Sequence, residues 1–548
     1  MAERLQKGRD SVAASPLKTR SFPEPGDPRL FACPLFLRYT GQIAEPGDTA
    51  INLLGIDVGT GGTRALLIDE SGAVVASAIH EHEPFASPRS GWAEQDPHDW
   101  WKACQGAVQK LLRDTAIPAA EIACIGLSGQ MHGAVLLDED NQVLRPALIW
   151  CDQRTAAECR YLNDTIGPKR LVELTSNPAL TNFTLTKLLW VRTNEPGIWQ
   201  KFRSFLLPKD YIRLRLTGVR AIDVADASGT LLLDVAHRRW SEAMLEAVGL
   251  SPECLPALYE SQEVVGRVTE EAAASTGLKA GTPVVAGAGD QAAGATGMGI
   301  VRPGDVSATI GTSGVVFAAS DAPVTDPLGR LHTFCHAIPG RWHVMGVTQA
   351  AGLSLRWFRD NFGTDRAGSG ETYDELSAEA AQVPPGAGGV LWAPYLMGER
   401  TPYPDPDARA ALVGLAADHT RAHVIRAILE GVAFSLKDTF TIFKELGIPV
   451  RAIRVGGGGA RSPLWRQIQA DVYGQAVEIV QAEEGAAYGA ALLAGVGIGV
   501  WASVDAACDA VVHVAKRTPP DQEAARVMQA SYANYRRLYP ALRSIFPD

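Results

Sequence analysis

Long apolar runs and an excess of basic residues are both missing from this 548-residue chain. No apolar stretch reaches the roughly 18 residues that a membrane-spanning helix needs. Acidic side chains outnumber basic ones by 61 to 51, which gives a net charge of −10. Because nucleic acids and anionic membranes attract basic surfaces, we expect neither as a partner, although a local basic pocket for a phosphorylated ligand is compatible with this charge.

Paired cysteines are also missing. None of the eight cysteines belongs to a CxxC pair or to a finger-like spacing. Scattered thiols in a long chain are typical of reduced cytoplasmic proteins, in which most cysteines are packing residues. The sequence therefore predicts a cytoplasmic protein, with a structural metal site as the less favoured alternative.

Several common catalytic motifs do not occur. There is no GxxxxGK[ST] stretch, so the chain is not a P-loop enzyme, and there is no HExxH or HxxEH stretch. The "GLSGQ" stretch lacks the second glycine spacing of a nucleophile elbow. His80 and His82 flank Glu81 at a predicted strand end, where we expect both imidazoles to be solvated.

The first 50 residues differ from the rest of the chain. They contain six prolines and little periodicity, and their only apolar patch, "LFACPLFL" (30–37), is short and interrupted by a proline. This patch lies too far from the start and is too weak for a secretory signal. We predict a flexible N-terminal extension over residues 1–50, with a docking arm as the less favoured alternative.

Beyond residue 50 the length predicts two large domains. The first begins with three apolar stretches joined by tight glycine turns, which predict an antiparallel meander: 51–58, 63–69 and 73–80. A helix over 96–114 follows, with Asp96 as its N-cap and Pro97 at its first position. The next strand is predicted over 121–129.

The second half repeats this order of elements. Its predicted strands cover 305–311, 315–320, 341–347, 450–456 and 476–480. Its predicted helices cover 421–446, 462–474 and 484–495, and the last is rich in small residues suited to close packing.

A Gly-Thr turn follows the first strand of each half, in "DVGTGGT" (57–63) and "IGTSG" (310–314). Glycines at a hairpin tip expose backbone N–H groups, which can bind phosphate oxygens without a basic side chain. One turn alone is best explained as a tight hairpin. Two turns in corresponding positions favour a pair of cradles that hold a nucleotide's phosphates across a cleft.

Two aspartates are candidate catalytic residues. Asp290, in "GAGDQAAGATG" (287–297), follows an apolar strand and begins a helix, where it could accept a proton from an alcohol that attacks a phosphate; a helix N-cap is the alternative. Asp57 directly precedes the first Gly-Thr turn, where it would repel phosphate unless Mg²⁺ lay between them, so a turn-capping role is its alternative.

The stretch "VGGGGARS" (455–462) places four glycines between a strand and a capped helix. Glycines let a ligand approach the backbone closely. We expect the adenine end of a nucleotide here, and a loop shaped only by packing is the alternative.

Together these stretches resemble the FGGY family of carbohydrate kinases, from about residue 52 to 545. The resemblance rests on many stretches, including "GIDVGTGGT", "GWAEQDPHDWW" (91–101), "SGQMHGAVLLD" (128–138), "LLPKDYIRLRLTG" (206–218), "GDQAAGA" (289–295), "GERTP" (398–402) and "GGARSPLWRQIQAD" (458–471). Asn182 departs from the family's first signature, which usually has a small or aromatic residue there.

The resemblance implies an α/β fold of two actin-like, ribonuclease-H-like domains with ATP and sugar in the cleft between them. We expect an N-terminal domain over 51–301, which holds the sugar and the catalytic base, and a C-terminal domain over 302–548, which holds the nucleotide. The sequence leaves the oligomeric state open, with a homodimer among the alternatives.

The resemblance also implies a role for each matching residue. Asp290 matches the catalytic base, which also contacts the sugar, and Asp57 matches a catalytic acid linked to metal or phosphate. Met131 and His132, in "QMHG", match a pair that contacts the ketose in the members that phosphorylate D-xylulose. The positions expected at the nucleotide are Thr60, Gly311, Thr312, Gly458, Gly459 and Ala460.

The expected activity is therefore ATP-dependent and Mg²⁺-dependent phosphorylation of D-xylulose at the C5 hydroxyl. Another acceptor of the same family, such as ribulose, fuculose or gluconate, is one alternative. An actin-like ATPase without sugar kinase activity is an alternative from a different class.

Overall fold

We describe the protein from a computed structural model that covers residues 51–363, 372–482 and 485–546. The predicted extension over residues 1–50 lies outside these residues. Within the described parts of the chain, every helix is too short or too polar to cross a membrane.

Twenty-four strands are formed within the described residues. In chain order they are β1 (Asn52–Val58), β2 (Gly62–Ile68), β3 (Val74–Glu81), β4 (Glu94–Gln95), β5 (Ile122–Gly129), β6 (Val135–Leu137), β7 (Ala147–Leu148), β8 (Ser204–Leu206), β9 (Ala221–Asp223), β10 (Leu233–Asp234), β11 (Arg239–Trp240), β12 (Ala257–Tyr259), β13 (Val264–Arg267), β14 (Pro283–Val285), β15 (Ala288–Gly289), β16 (Gly304–Ile310), β17 (Gly314–Ser320), β18 (His332–Cys335), β19 (Trp342–Thr348), β20 (Leu391–Ala393), β21 (Ala411–Val413), β22 (Val450–Gly457), β23 (Val477–Val480) and β24 (Val514–Thr518).

Nineteen α-helices are formed within the same residues. They are α1 (Pro97–Thr115), α2 (Ala156–Thr165), α3 (Pro168–Thr175), α4 (Thr184–Asn194), α5 (Pro196–Trp199), α6 (Pro208–Thr217), α7 (Val224–Ala227), α8 (Glu242–Val248), α9 (Glu270–Thr276), α10 (Asp290–Gly297), α11 (Gly352–Phe362), α12 (Tyr373–Ala380), α13 (Arg421–Glu445), α14 (Gly458–Arg461), α15 (Pro463–Tyr473), α16 (Gly485–Gly497), α17 (Val504–Val511), α18 (Gln522–Tyr535) and α19 (Leu538–Leu542). Short 3-10 helices cover Ala119–Glu121, Ser228–Thr230, Pro252–Cys254, Ala387–Gly389 and Arg543–Ile545.

Two large sheets share one topology. In the first, β1, β2 and β3 pair antiparallel, and β5 and then β14 extend the sheet in parallel on the other side of β1. In the second, β16, β17 and β19 pair antiparallel, and β22 and β23 extend it in parallel beyond β16. The predicted repeat of one order of elements is confirmed.

The sheets also contain strands that the sequence pattern did not indicate. An additional antiparallel strand lies at an outer edge of each sheet, β13 beside β14 and β24 beside β23, while β18 pairs with β19. These strands are four or five residues long. Such short stretches carry too little periodicity to be distinguished from loops.

Side-chain caps account for where helices α1 and α15 begin. The Asp96 carboxylate accepts the N–H of His98 at the start of α1, with Pro97 at the first helical position, as predicted. The Ser462 hydroxyl caps α15 in the same way by accepting the N–H of Trp465. The four glycines of 456–459 differ from expectation, because two of them complete β22 and the other two begin the short helix α14.

Helix α16 packs against the first sheet through backbone contacts. A side chain at Gly489 would place its Cβ 1.8 Å from the carbonyl oxygen of Ala293 in α10. A Cβ at Gly55 in β1 would lie 1.9 Å from the Ala487 oxygen, and one at Gly126 in β5 would lie 1.8 Å from the Ala490 oxygen. Only glycine permits this approach, so the expectation of close packing by the small-residue helix is confirmed.

Buried aromatic rings join the two halves. The cluster contains His132 and Phe183 from the N-terminal half and Phe317, His332, Phe334, His336 and His343 from the C-terminal half. His343 is fully buried, stacks on Phe317 with 4.1 Å between ring centroids, and lies beside the Cys335 backbone. Burial, followed by the nearby His336 and His332, lowers the pKa of His343 well below its usual value of 6.5.

This lowered pKa makes the folding free energy sensitive to acid. The unfolded chain binds a proton that the folded His343 does not, so the stability is fully present above the unfolded pKa of about 6.5 and is lost as the pH falls below it.

We predict that His343→Phe raises the melting temperature and flattens its fall between about pH 7 and pH 5. Phenylalanine keeps the stacking and removes the group whose protonation in the unfolded chain lowers stability in acid. Thermal unfolding at several pH values measures this, with His237→Phe as the control because His237 is 67% exposed. An unchanged pH profile in His343→Phe would contradict the prediction.

Candidate active site

Three cavities adjoin one another; two of them are lined by residues of both halves, and the third is lined by the C-terminal half alone. The smallest, of about 170 Å³, is lined by Thr60, Met131, His132, Trp150, Asp290, Gln291, Ser313, Val315, Met345, Val347 and Arg400. Asp290 and Gln291 also line a second cavity of about 410 Å³, and Gly458 and Arg461 line both this cavity and a third of about 500 Å³. Asp290 therefore lies between the smallest cavity and the two cavities that contain the glycines of 456–459 and the second Gly-Thr turn.

Asp290 is the first residue of α10, with Gly289 rather than Asp290 at the N-cap position. Burial and, second, the nearby Asp57 carboxylate raise the pKa of Asp290 to about 7, against the hydrogen bonds from Gln291. A carboxylate with a pKa near neutrality can both accept and release a proton at physiological pH.

Asp57 lies near the end of β1, opposite Ser128 of β5. Burial raises the pKa of Asp57, while the Ser128 hydroxyl and the Arg64 guanidinium act in the opposite direction. Its buried Oδ1 has no hydrogen-bond partner within the described residues. An unpaired carboxylate oxygen beside a second carboxylate fits a hard cation, which takes oxygen ligands.

Met131 and His132 follow β5, as predicted, and both are buried. The His132 backbone has φ 69°, in the left-handed region that non-glycine residues rarely adopt. The imidazole Nδ1 lies 2.9 Å from the Gly229 carbonyl oxygen, and Lys187 Nζ donates to the His132 carbonyl oxygen at 2.8 Å. Burial, followed by the Lys187 charge, lowers the pKa of His132 well below its usual value, so the ring is neutral.

A buried ionic cluster lies behind Met131. The ammonium of Lys209 contacts three buried carboxylates, those of Asp210, Asp223 and Asp226. A Cβ at Gly289 would lie 2.7 Å from Met131 Cγ and 3.1 Å from Asp226 Oδ1, so this cluster packs directly against the segment that leads into α10. The positive charge of Lys209 balances these carboxylates, and the cluster holds Met131 and the start of α10 in place.

Thr60 lines the smallest cavity rather than the third one, where Gly311 and Thr312 lie. Its hydroxyl accepts the indole N–H of Trp150 at 2.9 Å, and its carbonyl oxygen accepts the Gln95 side-chain N–H at 2.8 Å. His82 lies behind this turn, with Nε2 2.8 Å from the Thr63 hydroxyl. The prediction that His82 is solvated is wrong, because the imidazole is buried beneath the turn.

The third cavity contains four of the positions predicted at the nucleotide, Gly311, Thr312, Gly458 and Gly459. Ala460 lines the adjoining 410 Å³ cavity instead. The Thr312 carbonyl oxygen accepts the N–H groups of Ala351 and Leu353, which ties the second Gly-Thr turn to the start of α11. Tyr373 and Trp465 add aromatic side chains to the same cavity.

Two cavity residues were not singled out from the sequence. Trp150 orients Thr60, and Arg400 enters the smallest cavity from the C-terminal half. Arg400 lies in "GERTP", one of the stretches that resemble the family, but the sequence does not indicate that its side chain lines the cavity. The direction of this side chain depends on contacts with distant parts of the chain.

Comparison with known proteins identifies the family. Residues 52–297 match the model of the FGGY family of carbohydrate kinases, N-terminal domain, and residues 306–498 match that of the C-terminal domain. The chain therefore belongs to the FGGY family of carbohydrate kinases, and its two similar sheets are the two halves of that actin-like fold.

Individual relatives are similar over most of the chain. A xylulose kinase from Escherichia coli (strain K12) is 42% identical over 442 residues, which are 80% of this chain and 89% of that protein. A xylulose kinase from Bacillus subtilis (strain 168) is 38% identical over 487 residues, 89% of this chain and 96% of that protein. The crystal structure of xylulose kinase from Rhodospirillum rubrum matches with a TM-score of 0.82 at 32% identity, covering 90% of this chain and 99% of that one.

We predict that Gly229→Ala displaces the His132 ring, because the added Cβ would lie 2.6 Å from Nδ1. Overpacking of this kind costs about 1–3 kcal/mol of unfolding free energy, which denaturant titration measures. Gly197→Ala is the matched control, since its Cβ would meet no atom within 4 Å. Equal stabilities for the two variants would contradict the packing described here.

Proposed function

We propose that the protein transfers the γ-phosphoryl group of ATP to the C5 hydroxyl of D-xylulose, giving D-xylulose 5-phosphate and ADP. One observation carries the proposal: Asp290 lines both the smallest cavity and the cavity that leads to the glycine-rich turns. A base in this position can act on an acceptor in one cavity and a phosphate tail in the other. The names of the relatives described above support D-xylulose as the acceptor.

Asp290 acts as the general base in this reaction. It accepts the proton of the C5 hydroxyl, that oxygen forms a bond to the γ-phosphorus, and the bond to the leaving ADP oxygen breaks with its electron pair. A pKa of about 7 leaves a sizeable ionised fraction at neutral pH and makes the carboxylate more basic than an exposed aspartate. In the absence of a bound cation, the negative charge of Asp57 contributes to this raised pKa.

Met131 and His132 hold the ketose. The Gly229 contact fixes the imidazole through Nδ1, and Nε2 is the ring nitrogen left to bond a sugar hydroxyl. A neutral imidazole suits an uncharged acceptor, because it can donate or accept without placing an unpaired charge in the cavity.

The nucleotide occupies the two larger cavities. The backbone N–H groups of the second Gly-Thr turn, Gly311 and Thr312, bind the phosphates there, and Thr60 of the first turn meets the γ-phosphate from the smallest cavity. Gly458, Gly459 and Ala460 allow close approach of the adenosine end.

Mg²⁺ fits the site through Asp57. The unpaired, buried Oδ1 of Asp57 is an oxygen ligand of the kind that Mg²⁺ takes, directly or through water. When bound, the ion neutralises charge on the phosphate oxygens during transfer.

We also propose that the protein works in the cytoplasm. The support is that all seven cysteines within the described residues are free thiols, and five of them are buried. Packing thiols of this kind persist in a reducing compartment.

A coupled assay of ADP release across acceptors tests the function. D-Xylulose should give the highest kcat/KM among D-xylulose, ribulose, fuculose, gluconate and glycerol, and phosphorus NMR should detect a C5 phosphomonoester. A higher kcat/KM for another acceptor would reassign the substrate. ADP release that does not depend on any sugar would instead favour an actin-like ATPase.

Asp290→Asn should lower kcat by about 10²-fold or more, the scale expected when a general base is lost. The ketose dissociation constant, measured by calorimetry, should change far less because the amide keeps the shape of the carboxylate. Asp509→Asn is the control, since that carboxylate is 62% exposed. Near-normal turnover in Asp290→Asn would remove this residue from the base role.

His132→Asn should raise the KM for D-xylulose by roughly 10-fold or more, because a site built to bond a hydroxyl loses affinity when that bond is lost. Asparagine tolerates the left-handed backbone at this position, so the local fold is retained. The KM for ATP should stay nearly constant. An unchanged KM for D-xylulose would reassign His132 to packing.

A further inference from the structure

Arg400 is a cation of the smallest cavity that the mechanism above does not use. It lies in the C-terminal half, between β20 and β21, and lines the cavity together with Thr60, His132 and Asp290 of the N-terminal half. Its charge acts on His132 and Lys187 of the opposite half, where it contributes to their lowered pKa values. The guanidinium therefore faces the N-terminal half across the cavity.

The neighbouring carboxylate does not pair with this guanidinium. Glu399 accepts the backbone N–H groups of Gln349 and Arg400 through Oε1, and the Thr348 hydroxyl at 2.6 Å through Oε2. Both carboxylate oxygens of Glu399 are therefore bonded to groups other than the Arg400 guanidinium. Mutual backbone bonds between Glu399 and Asp405 fix the segment further.

Within the described residues, the Arg400 guanidinium has no hydrogen-bond acceptor and no ion-pair partner. Burial lowers the pKa of Arg400 to about 10, against the charges of Glu399 and Cys151. Arg400 is partly buried, and a partly buried cation without a protein acceptor gains a charge-assisted hydrogen bond from a ligand that supplies oxygen atoms. The segment between β20 and β21 thus presents the Arg400 guanidinium as a hydrogen-bond donor to a ligand oxygen in the cavity.

We propose that Arg400 donates hydrogen bonds to an oxygen of the bound ketose, so that the acceptor is held by both halves of the enzyme at once. This inference rests on the proposed function, because the cavity is the one assigned to the ketose. It makes Arg400 a specificity-determining residue on the wall opposite Met131 and His132.

The ketose is favoured over the transferred phosphoryl group as the partner of Arg400. Arg400 shares the lining of the smallest cavity with Met131 and His132. It is absent from the linings of the 410 Å³ and 500 Å³ cavities, which contain Gly311, Thr312, Gly458 and Gly459. A guanidinium that served the phosphates would be expected along that path.

The test compares Arg400→Gln and Arg400→Lys with the unaltered enzyme. Arg400→Gln should raise both the KM and the calorimetric dissociation constant for D-xylulose by roughly 10- to 100-fold, the range for a lost hydrogen bond to a charged group. Arg400→Lys should recover part of this loss, and the KM for ATP should change less than about 2-fold because the nucleotide cavities are untouched. ATP hydrolysis with water as acceptor should persist in both variants.

A set of ketose analogues, each lacking one oxygen, separates direct contact from a structural effect. One analogue should bind the unaltered enzyme more weakly than D-xylulose does. The same analogue should bind Arg400→Gln as well as D-xylulose does, because in that variant the oxygen that the analogue lacks has no partner. Arg517→Gln is the control, since that side chain is 70% exposed, and melting temperatures report folding.

Three outcomes would overturn the inference. They are an unchanged D-xylulose dissociation constant in Arg400→Gln, an equal fall in turnover with sugar and with water as acceptor, and an analogue series in which every compound loses affinity equally in both proteins. Failure of the proposed function is visible separately, as the absence of D-xylulose phosphorylation by the unaltered enzyme.

Discussion

The site depends on the close backbone contact of α16 with two other elements. Gly489 of α16 touches α10, which begins at Asp290, and Ala487 of α16 touches β1, which contains Asp57. One helix therefore sets the distance between the two carboxylates. Because these contacts are between backbones, their geometry does not vary with side-chain rotamers, and Asp290 keeps the neighbour that raises its pKa.

The same helix connects chemistry with architecture. α16 belongs by sequence to the second predicted domain, yet it packs on strands of the first sheet, and Gly485 at its start lines the 410 Å³ cavity. A change in how α16 packs would therefore alter the carboxylate pair and the nucleotide path together. The predicted boundary between residues 301 and 302 stays a prediction.

Much of the fold could be predicted because its signals are local. Glycine turns between apolar runs indicated the strands of both meanders, and Asp96 with Pro97 fixed the start of α1. The short edge strands, the burial of His82 and the direction of Arg400 could not be predicted, since each is decided by contacts with distant residues. For the site, sequence indicated Asp57, Met131, His132 and Asp290, which the fold brings together, but it grouped Thr60 with residues of a different cavity.

The two similar sheets differ at one corresponding position. The residue two places before the Gly-Thr turn is Asp57 in the first half and Thr309 in the second. The first turn thus has an acidic residue beside it and the second a neutral one, so the two sides of the cleft differ in charge. A ligand with a charged tail and an uncharged remainder therefore has unequal energies in its two orientations. This one difference in charge distinguishes donor from acceptor within two otherwise similar sheets.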